Sequence, residues 1–187
     1  MDLIFVGVDP GQSGGLAFLN DAGAVLQALP LPLIGKELDI ARVTLLVDLH
    51  GGDRSKLRVA IERVHSMPKQ GVASSFRFGY LYGCITGAFQ ALGCSVQHIT
   101  PQMWKKRVLH GTEKDKAAAL AYCSSRWPHF SLVQPRGRVP HVGVADALCI
   151  AQALRAQELG INGANALSHG ENRSEEGEVL SGARGAG

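Results

Sequence analysis

Residues 2–19 read DLIFVGVDPGQSGGLAFL, and this stretch joins two apolar runs through a turn. The first run, residues 2–9, is rich in β-branched side chains, which predicts a strand that stops at Asp9-Pro10-Gly11. Residues 14–19 and 24–26 predict two further strands that a hairpin turn connects. The chain therefore opens with three strands, and a carboxylate ends the first of them.

The elements predicted beyond this opening alternate between strands and helices. Strands are expected at 57–62 and 95–99, and helices at 38–49, 74–92, 102–108, 113–125 and 144–157. The predicted caps are Ser74 or Ser75 for the second helix, Thr100 followed by Pro101 for the third, and Thr112 for the fourth. Because strands cluster early, helices dominate late and a strand–helix–strand unit lies between them, the pattern predicts a mixed α/β sheet.

Length and composition predict one globular domain. The chain has 187 residues, of which 45% are hydrophobic and 19% charged, as is usual for a globular protein with a sizeable core. Residues 160–187 have few large apolar side chains, so we expect a domain at 1–159 and a disordered tail. No stretch reaches the roughly 20 apolar residues of a membrane span, and the start lacks signal-peptide features, which predicts a cytoplasmic protein.

Cysteine spacing and net charge indicate which kinds of site and partner the protein has. The four cysteines, Cys84, Cys94, Cys123 and Cys149, form no Cys-x-x-Cys pair, which argues against a zinc site or a disulfide framework. The net charge is +3. A mildly basic chain fits a polyanionic partner, although many housekeeping enzymes are equally basic.

Three of the sixteen carboxylates lie in apolar surroundings: Asp9, Glu62 and Asp146. Burying an unpaired carboxylate costs several kcal/mol, so acids that converge at strand ends call for a neutralising cation. Oxygen ligands select hard ions such as Mg²⁺ or Mn²⁺. Two such ions about 4 Å apart can activate a water molecule to attack the phosphorus of a phosphodiester. The set predicts metal-dependent phosphodiester hydrolysis.

Each of these acids also has a simpler interpretation. Asp9 fits an ordinary Asp-Pro-Gly turn, Glu62 fits an ion pair with Arg58 or Arg63, and Asp146 fits a helix-start acid that interacts with the dipole. The occurrence of all three in this order favours the catalytic interpretation.

Three motifs carry a family resemblance: GVDPGQSGGLAF at 7–18, AIERVHSMPKQG at 60–71 and HVGVADALCIA at 141–151. In this order they resemble the RuvC-type Holliday junction resolvases, and most of all the phage, bacterial and plant-chloroplast branch. Further matches are SSFRFGYLYG at 74–83, ITPQMWKK at 99–106 and EKDKAAALAYC at 113–123. The resemblance covers about residues 4–155.

The resemblance implies an RNase H-like fold, with a mixed five-stranded sheet flanked by helices. It also implies a homodimer that places paired symmetrical nicks across a four-way DNA junction and uses two Mg²⁺ or Mn²⁺ ions per active site. Asp9, Glu62 and Asp146 take the metal-ligand positions, and His141 joins them in the catalytic set. The expected location is the cytoplasm, for a bacterial or phage-encoded protein, or an organellar nucleoid.

One residue departs from the pattern of this branch. The residue after the motif histidine is usually acidic, giving His-Asp-Gly, whereas this chain has Val142, which cannot ligate a metal. Either His141 or water substitutes, or the chain is a junction-binding protein with weak or lost cleavage. A ribonuclease H acting on RNA–DNA hybrids is a third candidate, and an actin-like sugar kinase would need a longer chain.

Several polar residues near these motifs are candidate DNA contacts. They are Lys69, Gln70, Ser74, Ser75, Arg77, Lys105, Lys106, Lys114 and Lys116, with Arg136 and Arg138 as similar candidates. The alternative for each is an ordinary solvated loop or helix face. Phe76 and Phe78 fit either wedges against an unstacked base or core and dimer contacts. The small residues around Gly83 and Gly87 predict close helix packing, inside the fold or across a dimer.

Overall fold

The computed structural model of the chain describes residues 3–63, 71–110, 116–135 and 137–161. The strands are β1 (Ile4–Asp9), β2 (Gly15–Asn20), β3 (Val25–Pro30), β4 (Leu33–Ile34), β5 (Glu37–Leu38), β6 (Leu57–Glu62) and β7 (Ser95–Ile99). The helices are α1 (Ile40–Gly51), α2 (Val72–Ala91), α3 (Pro101–Val108), α4 (Lys116–Arg126) and α5 (Val142–Glu158).

Five of the strands form one mixed sheet, in the order β3-β2-β1-β6-β7. The first three are antiparallel because short turns connect them, whereas β6 and β7 run parallel to β1. Parallel neighbours need crossover connections, and α1 and α2 provide them. The predicted mixed five-stranded sheet flanked by helices is confirmed.

Helices cover both faces of this sheet. Val6, Val8 and Phe18 point to the face that packs against α1 and α2. Phe5 and Leu19 point to the opposite face, in the same cluster as residues of α3, α4 and α5. Strand side chains alternate between faces, so the two apolar clusters arise from one apolar strand sequence. The sheet is thus the middle layer of three.

Helix α5 lies at the centre of the helical layer that α3, α4 and α5 form on one face of the sheet. Its residues from Gly143 to Ala156 are buried on every side, except Asp146, which is half-buried. A helix that is buried all round is typical of a core element. Most of its side chains are apolar, and the polar exceptions in this segment are Asp146, Gln152 and Arg155.

Three glycines bring α5 into direct contact with the backbone of the sheet. A Cβ added to Gly7 would lie 2.1 Å from the Ala147 carbonyl oxygen, and one on Gly15 would lie 2.3 Å from the Gly143 carbonyl oxygen. A Cβ on Gly143 would lie 2.1 Å from the Ser13 carbonyl oxygen. Because the opposing atoms belong to the backbone, no side-chain adjustment could make room.

Helix starts differ in part from the predictions. Thr100 caps α3 as predicted, and its side chain accepts a hydrogen bond from the Met103 amide. The prediction that Ser74 or Ser75 caps α2 is wrong, because the helix starts at Val72 with Gly71 as its cap. The Ser75 amide bonds to the Gly71 carbonyl at 3.0 Å, so both serines lie within the first helical turn. The predicted cap Thr112 lies outside the described residues.

The remaining predictions for the fold concern cysteines and membranes. All four cysteines are free thiols, and the Sγ atoms of Cys123 and Cys149 lie 3.8 Å apart in the core. None of the helices within the described part of the chain is long and apolar enough to span a membrane. The predicted tail lies almost wholly beyond the described residues, and its disorder stays a prediction.

We expect Gly7→Ala to destabilise the fold strongly, because its Cβ would collide with the backbone of α5. The loss should be about 3 kcal/mol or more in the free energy of unfolding, at the upper end for overpacked cores. The matched control is Gly71→Ala, whose Cβ meets nothing within 4 Å and which should cost about 1 kcal/mol or less, because alanine is a weaker helix cap than glycine. Urea unfolding measures both, and equal losses would contradict the packing role of Gly7.

Candidate active site

The strand register places two of the predicted acids side by side. In the parallel pair of β1 and β6, Val8 faces Ile61, so the next positions along are Asp9 and Glu62. Both follow the alternation of Phe5 and Ala60, whose side chains pack on the α5 face. The two carboxylates therefore leave adjacent strand ends on the same side of the sheet.

The third acid reaches this point from α5. Asp146 directly precedes Ala147, whose carbonyl oxygen lies against Gly7 of β1. The contacts of Gly143 with Ser13 and Gly14 hold the start of α5 against the loop that follows Asp9. Backbone packing, rather than any long side chain, thus brings Asp146 toward the ends of β1 and β6.

The three carboxylates interact electrostatically. Burial, followed by the negative charge of Glu62, raises the pKa of Asp9 to about 7; Asp146 adds to the rise, and a hydrogen bond from the Gly11 amide opposes it. Burial also raises the pKa of Glu62, with a further contribution from Asp146. A rise of this kind is expected where like charges share a partly desolvated site. The structure therefore brings the predicted acids Asp9, Glu62 and Asp146 together.

A tryptophan holds Glu62, and the sequence patterns did not predict this role. Trp104 of α3 is 1% exposed, and its Nε1 donates a hydrogen bond to Oε1 of Glu62 at 2.7 Å. The Nζ of Lys105 lies 5.3 Å from the centre of the same indole ring. Both the indole hydrogen bond and the charge of Lys105 lower the pKa of Glu62 against the effect of burial. The only sequence signal was the position of Trp104 beside a basic cluster.

His141 and Val142 lie at the first turn of α5. The Nδ1 of His141 accepts a hydrogen bond from the Val144 amide at 3.2 Å, so His141 caps the helix. This makes α5 begin at Val142, two residues before the predicted start. Because Nδ1 serves the cap, a ligand to His141 would bind at Nε2. Val142 is half-buried and directly precedes Gly143, which contacts the loop after Asp9.

The donor chemistry of the site fits a hard divalent cation. Asp9, Glu62 and Asp146 offer carboxylate oxygens, and a cation among them would relieve the repulsion that raises the pKa of Asp9. Within the described ranges, no group of three or more His, Cys, Asp or Glu side chains is placed closely enough to hold a metal ion. The acids thus interact electrostatically, but their side chains are not arranged as a metal coordination shell.

Part of the predicted DNA-contact set lies next to this site. Ser74 and Arg77 of α2 line a cavity of 210 Å³ together with Gln12 and Ser13 of the loop after Asp9. Ser75 is half-buried in the same helical turn, and Lys106 is exposed on α3. Phe78 also lines the cavity, whereas Phe76 is 76% exposed and does not belong to the core.

The other predicted contacts cannot be placed against the site. Lys69, Gln70, Lys114 and Arg136 lie outside the described residues, and Lys116 starts α4 with its side chain undescribed. Arg138 is exposed in the loop before α5. Their roles stay predictions.

Comparison with known proteins identifies the architecture. No protein-family model and no curated protein sequence matches the chain. Among solved structures, Thermus thermophilus RuvC in complex with a Holliday junction substrate matches with a TM-score of 0.59 and 16% identity over 86% of this chain and 98% of that one. This chain has a RuvC-type fold. A second Thermus thermophilus RuvC structure agrees, with a TM-score of 0.57 and 18% identity over the same shares.

The RuvC-type fold confirms the RNase H-like architecture that the motifs implied. At 16% and 18% identity, the likeness establishes fold and not activity. The likeness to the phage, bacterial and plant-chloroplast branch stays a prediction, since both structures come from Thermus thermophilus RuvC.

The raised pKa of Asp9 predicts a pH-dependent stability in metal-free buffer. Its ordinary value is 3.8 and its folded value about 7, so the unfolded chain binds fewer protons between these two pH values. The free energy of unfolding should therefore fall as the pH rises from about 4 to about 7. Asp9→Asn removes this penalty and should gain stability over the wild type along that range, by on the order of 1 kcal/mol after solvent screening.

Urea titrations at pH 4.5, 6 and 8 with a chelator present measure this difference. Glu37→Gln, which removes an exposed carboxylate, controls for the loss of one negative charge. A difference between Asp9→Asn and the wild type that stays constant with pH would show that Asp9 is not held in a repulsive site.

Proposed function

We propose that this protein is a metal-dependent endonuclease that resolves Holliday junctions or related branched DNA by paired symmetrical nicks. The observation that carries the proposal is the meeting of Asp9, Glu62 and Asp146 on the α5 face of a RuvC-type fold. A structure with this fold, that of Thermus thermophilus RuvC, contains a Holliday junction substrate. Fold and acids point to the same chemistry.

Each acid has a role in this proposal. Asp9, Glu62 and Asp146 would hold Mg²⁺ or Mn²⁺, with two ions proposed per active site. Such ions, when bound, activate a water molecule and stabilise the leaving oxygen of the phosphodiester. The hydrogen bond from Trp104 fixes one oxygen of Glu62 and thereby directs the other. His141 holds the first turn of α5 in place through its cap and completes the catalytic set.

Some of the residues proposed to contact DNA lie near the acids. Ser74 and Arg77 share a cavity with the loop after Asp9, at the start of a helix, where free amide groups and a guanidinium favour phosphate. The charge of Lys105 lowers the pKa of Glu62, and in this proposal the same charge stabilises negative charge on the scissile phosphate. Ser75, Lys106, Lys69, Gln70, Lys114 and Lys116 complete the proposed DNA-binding set.

A second function, junction binding with weak or lost cleavage, is favoured by one observation. Val142 occupies the first position of α5, beside the loop that follows Asp9, and it supplies no oxygen where the resembled branch has an acid. A helix N-terminus also favours an acidic side chain through the dipole. Val142→Asp should therefore fit this position and improve metal binding.

The deciding experiment is cleavage of a labelled four-way junction in Mg²⁺ and in Mn²⁺, beside linear duplex and an RNA–DNA hybrid. We expect paired cuts near the crossover of the junction only. Asp9→Asn should reduce the rate by about 10³-fold or more, because the metal supplies several kcal/mol of transition-state stabilisation. Glu37→Gln, an exposed carboxylate, should cut at the wild-type rate.

The outcomes separate the candidates. Junction binding without cleavage, restored by Val142→Asp, would establish the binding protein with lost cleavage. Cleavage of the hybrid in preference to the junction would establish a ribonuclease H. Neither binding nor cleavage of any of these substrates would refute the proposed function and leave the fold alone.

Two-fold symmetrical cutting requires two active sites, so the proposal includes a homodimer. Helix α2 offers a surface for it. Val72, Phe76 and Tyr80, spaced four residues apart, are 87%, 76% and 45% exposed. Added Cβ atoms on Gly79, Gly83 and Gly87 would meet nothing within 4 Å, so a second helix could approach this face closely.

We expect Phe76→Asp to convert the dimer into a monomer, because it would bury an unpaired charge in the interface. The dimer dissociation constant should rise about 100-fold, equivalent to roughly 3 kcal/mol. Analytical ultracentrifugation measures it, with Leu49→Asp as control, since Leu49 is 72% exposed on α1. A wild-type chain that is monomeric with and without junction DNA would contradict the homodimer.

A further inference from the structure

A cavity opens at the end of the sheet that is remote from the acids. It has a volume of 450 Å³ and is lined by residues 22–25 of the β2–β3 turn and by residues 126–130, which follow α4. Strand β2 starts beside the acids at Gly15 and ends next to this turn at Asn20. Five steps of strand rise separate the two places by roughly 17 Å, so the cavity is distinct from the candidate active site.

Two guanidinium groups meet at this turn. An added Cβ on Gly23 would lie 3.0 Å from Cζ of Arg155 and 3.2 Å from Nη2 of Arg126. Arg155 is only 4% exposed, and its Nε donates a hydrogen bond to the Asp21 carbonyl oxygen at 2.8 Å. Burial lowers the pKa of Arg155, and the charge of Arg126 lowers it further. Two positive charges are thus close together at the Gly23 turn, and Arg126 is the one that lines the cavity.

One nitrogen of Arg126, the buried Nε, has no hydrogen-bond partner among the described residues. Its guanidinium lies 5.9 Å from the centre of the Trp127 ring. Across the described ranges, no carboxylate forms an ion pair with Arg126. Because an unpaired buried donor costs free energy, an anion in the cavity would satisfy it.

The other walls of the cavity are apolar. Trp127, Phe130 and Val25 contribute to them, and His129 is exposed at the rim. The Trp127 indole N–H already donates to the Gly23 carbonyl oxygen at 2.8 Å. The ring can therefore give a ligand apolar contacts but no further hydrogen bond. A few polar groups in an apolar cavity of this size are typical of small-molecule sites.

We propose that this cavity binds a small organic anion, a flat apolar body that carries one phosphate or carboxylate, with Arg126 as its main ionic partner. The guanidinium fork matches the two oxygens of such a group, and Trp127 and Phe130 contact the apolar body. The same chemistry is available from a free metabolite and from the terminal nucleotide of a phosphorylated DNA strand. The site does not depend on the proposed nuclease activity.

The two tryptophans of the chain provide an internal test in the unmodified protein. Trp127 lines the cavity, whereas Trp104 bonds to Glu62 in the candidate active site. In a ¹H–¹⁵N spectrum, phenyl phosphate should shift the indole signal of Trp127 and leave that of Trp104 in place, with a dissociation constant of about 1 mM or below. Movement of the Trp104 signal alone, or of neither signal, would overturn the proposal.

Variants then test the ionic partner. Arg126→Gln should weaken phenyl phosphate binding at least tenfold, whereas Arg42→Gln, an exposed arginine on α1, should leave it unchanged. An unshifted Trp104 indole signal in Arg126→Gln confirms that the variant is folded. Undiminished binding by the folded Arg126→Gln variant would also overturn the proposal.

Further probes resolve the apolar part and the source of the ligand. Inorganic phosphate alone should bind at least tenfold more weakly than phenyl phosphate, and equal binding would refute the role of Trp127 and Phe130. A 5′-phosphorylated oligonucleotide that displaces phenyl phosphate from the Trp127 site, beside an unphosphorylated control that does not, would support the site and assign it to a DNA end. Displacement by adenosine monophosphate but not by that oligonucleotide would support it and assign it to free metabolites.

Discussion

The contact between the backbone of α5 and the backbone of β1 and β2 is the constraint on which the rest of the structure depends. Gly7, Gly15 and Gly143 allow it, because any side chain at these positions would overlap backbone atoms. The close approach sets where α5 lies along the strands and which of its residues reach the strand ends. The position of Asp146 therefore depends on glycines that take no direct part in the proposed reaction.

The same packing explains why the candidate site is unfavourable to the isolated fold. Asp9 and Glu62 leave neighbouring strand ends on one face, and α5 closes over them with a third carboxylate. Desolvation and like charge then act together on Asp9. Trp104 and Lys105 offset part of this effect at Glu62. Repulsion among these carboxylates would be relieved by a bound divalent cation, which would therefore stabilise the fold. This fits the function proposed for the site.

The sequence predicted the five strands of the main sheet and the three acids because their signals are local, whereas the short pair β4 and β5 was not predicted. The apolar, β-branched run in residues 2–9 and the polar end of each apolar run depend only on neighbouring residues. The hydrogen bond from Trp104 to Glu62 joins residues 42 positions apart and has no local pattern. The cap from His141 was also missed, because histidine is an uncommon cap and α5 then begins two residues early. The approach of Arg126 and Arg155 at Gly23 depends on how the β2–β3 turn packs. No spacing of residues in the sequence predicts this contact.

The burial of α5 on every side also has a consequence for how the chain is made. Synthesis proceeds from the N-terminus, and domains fold as units when their parts are available. The sheet is finished once β7 has been made, yet one of its faces stays uncovered until residues 142–158 follow. The nascent protein therefore exposes part of this apolar face while residues 100–158 are synthesised. Its folding is completed by the last element of the domain, and until then the exposed apolar surface makes the unfinished chain prone to aggregation.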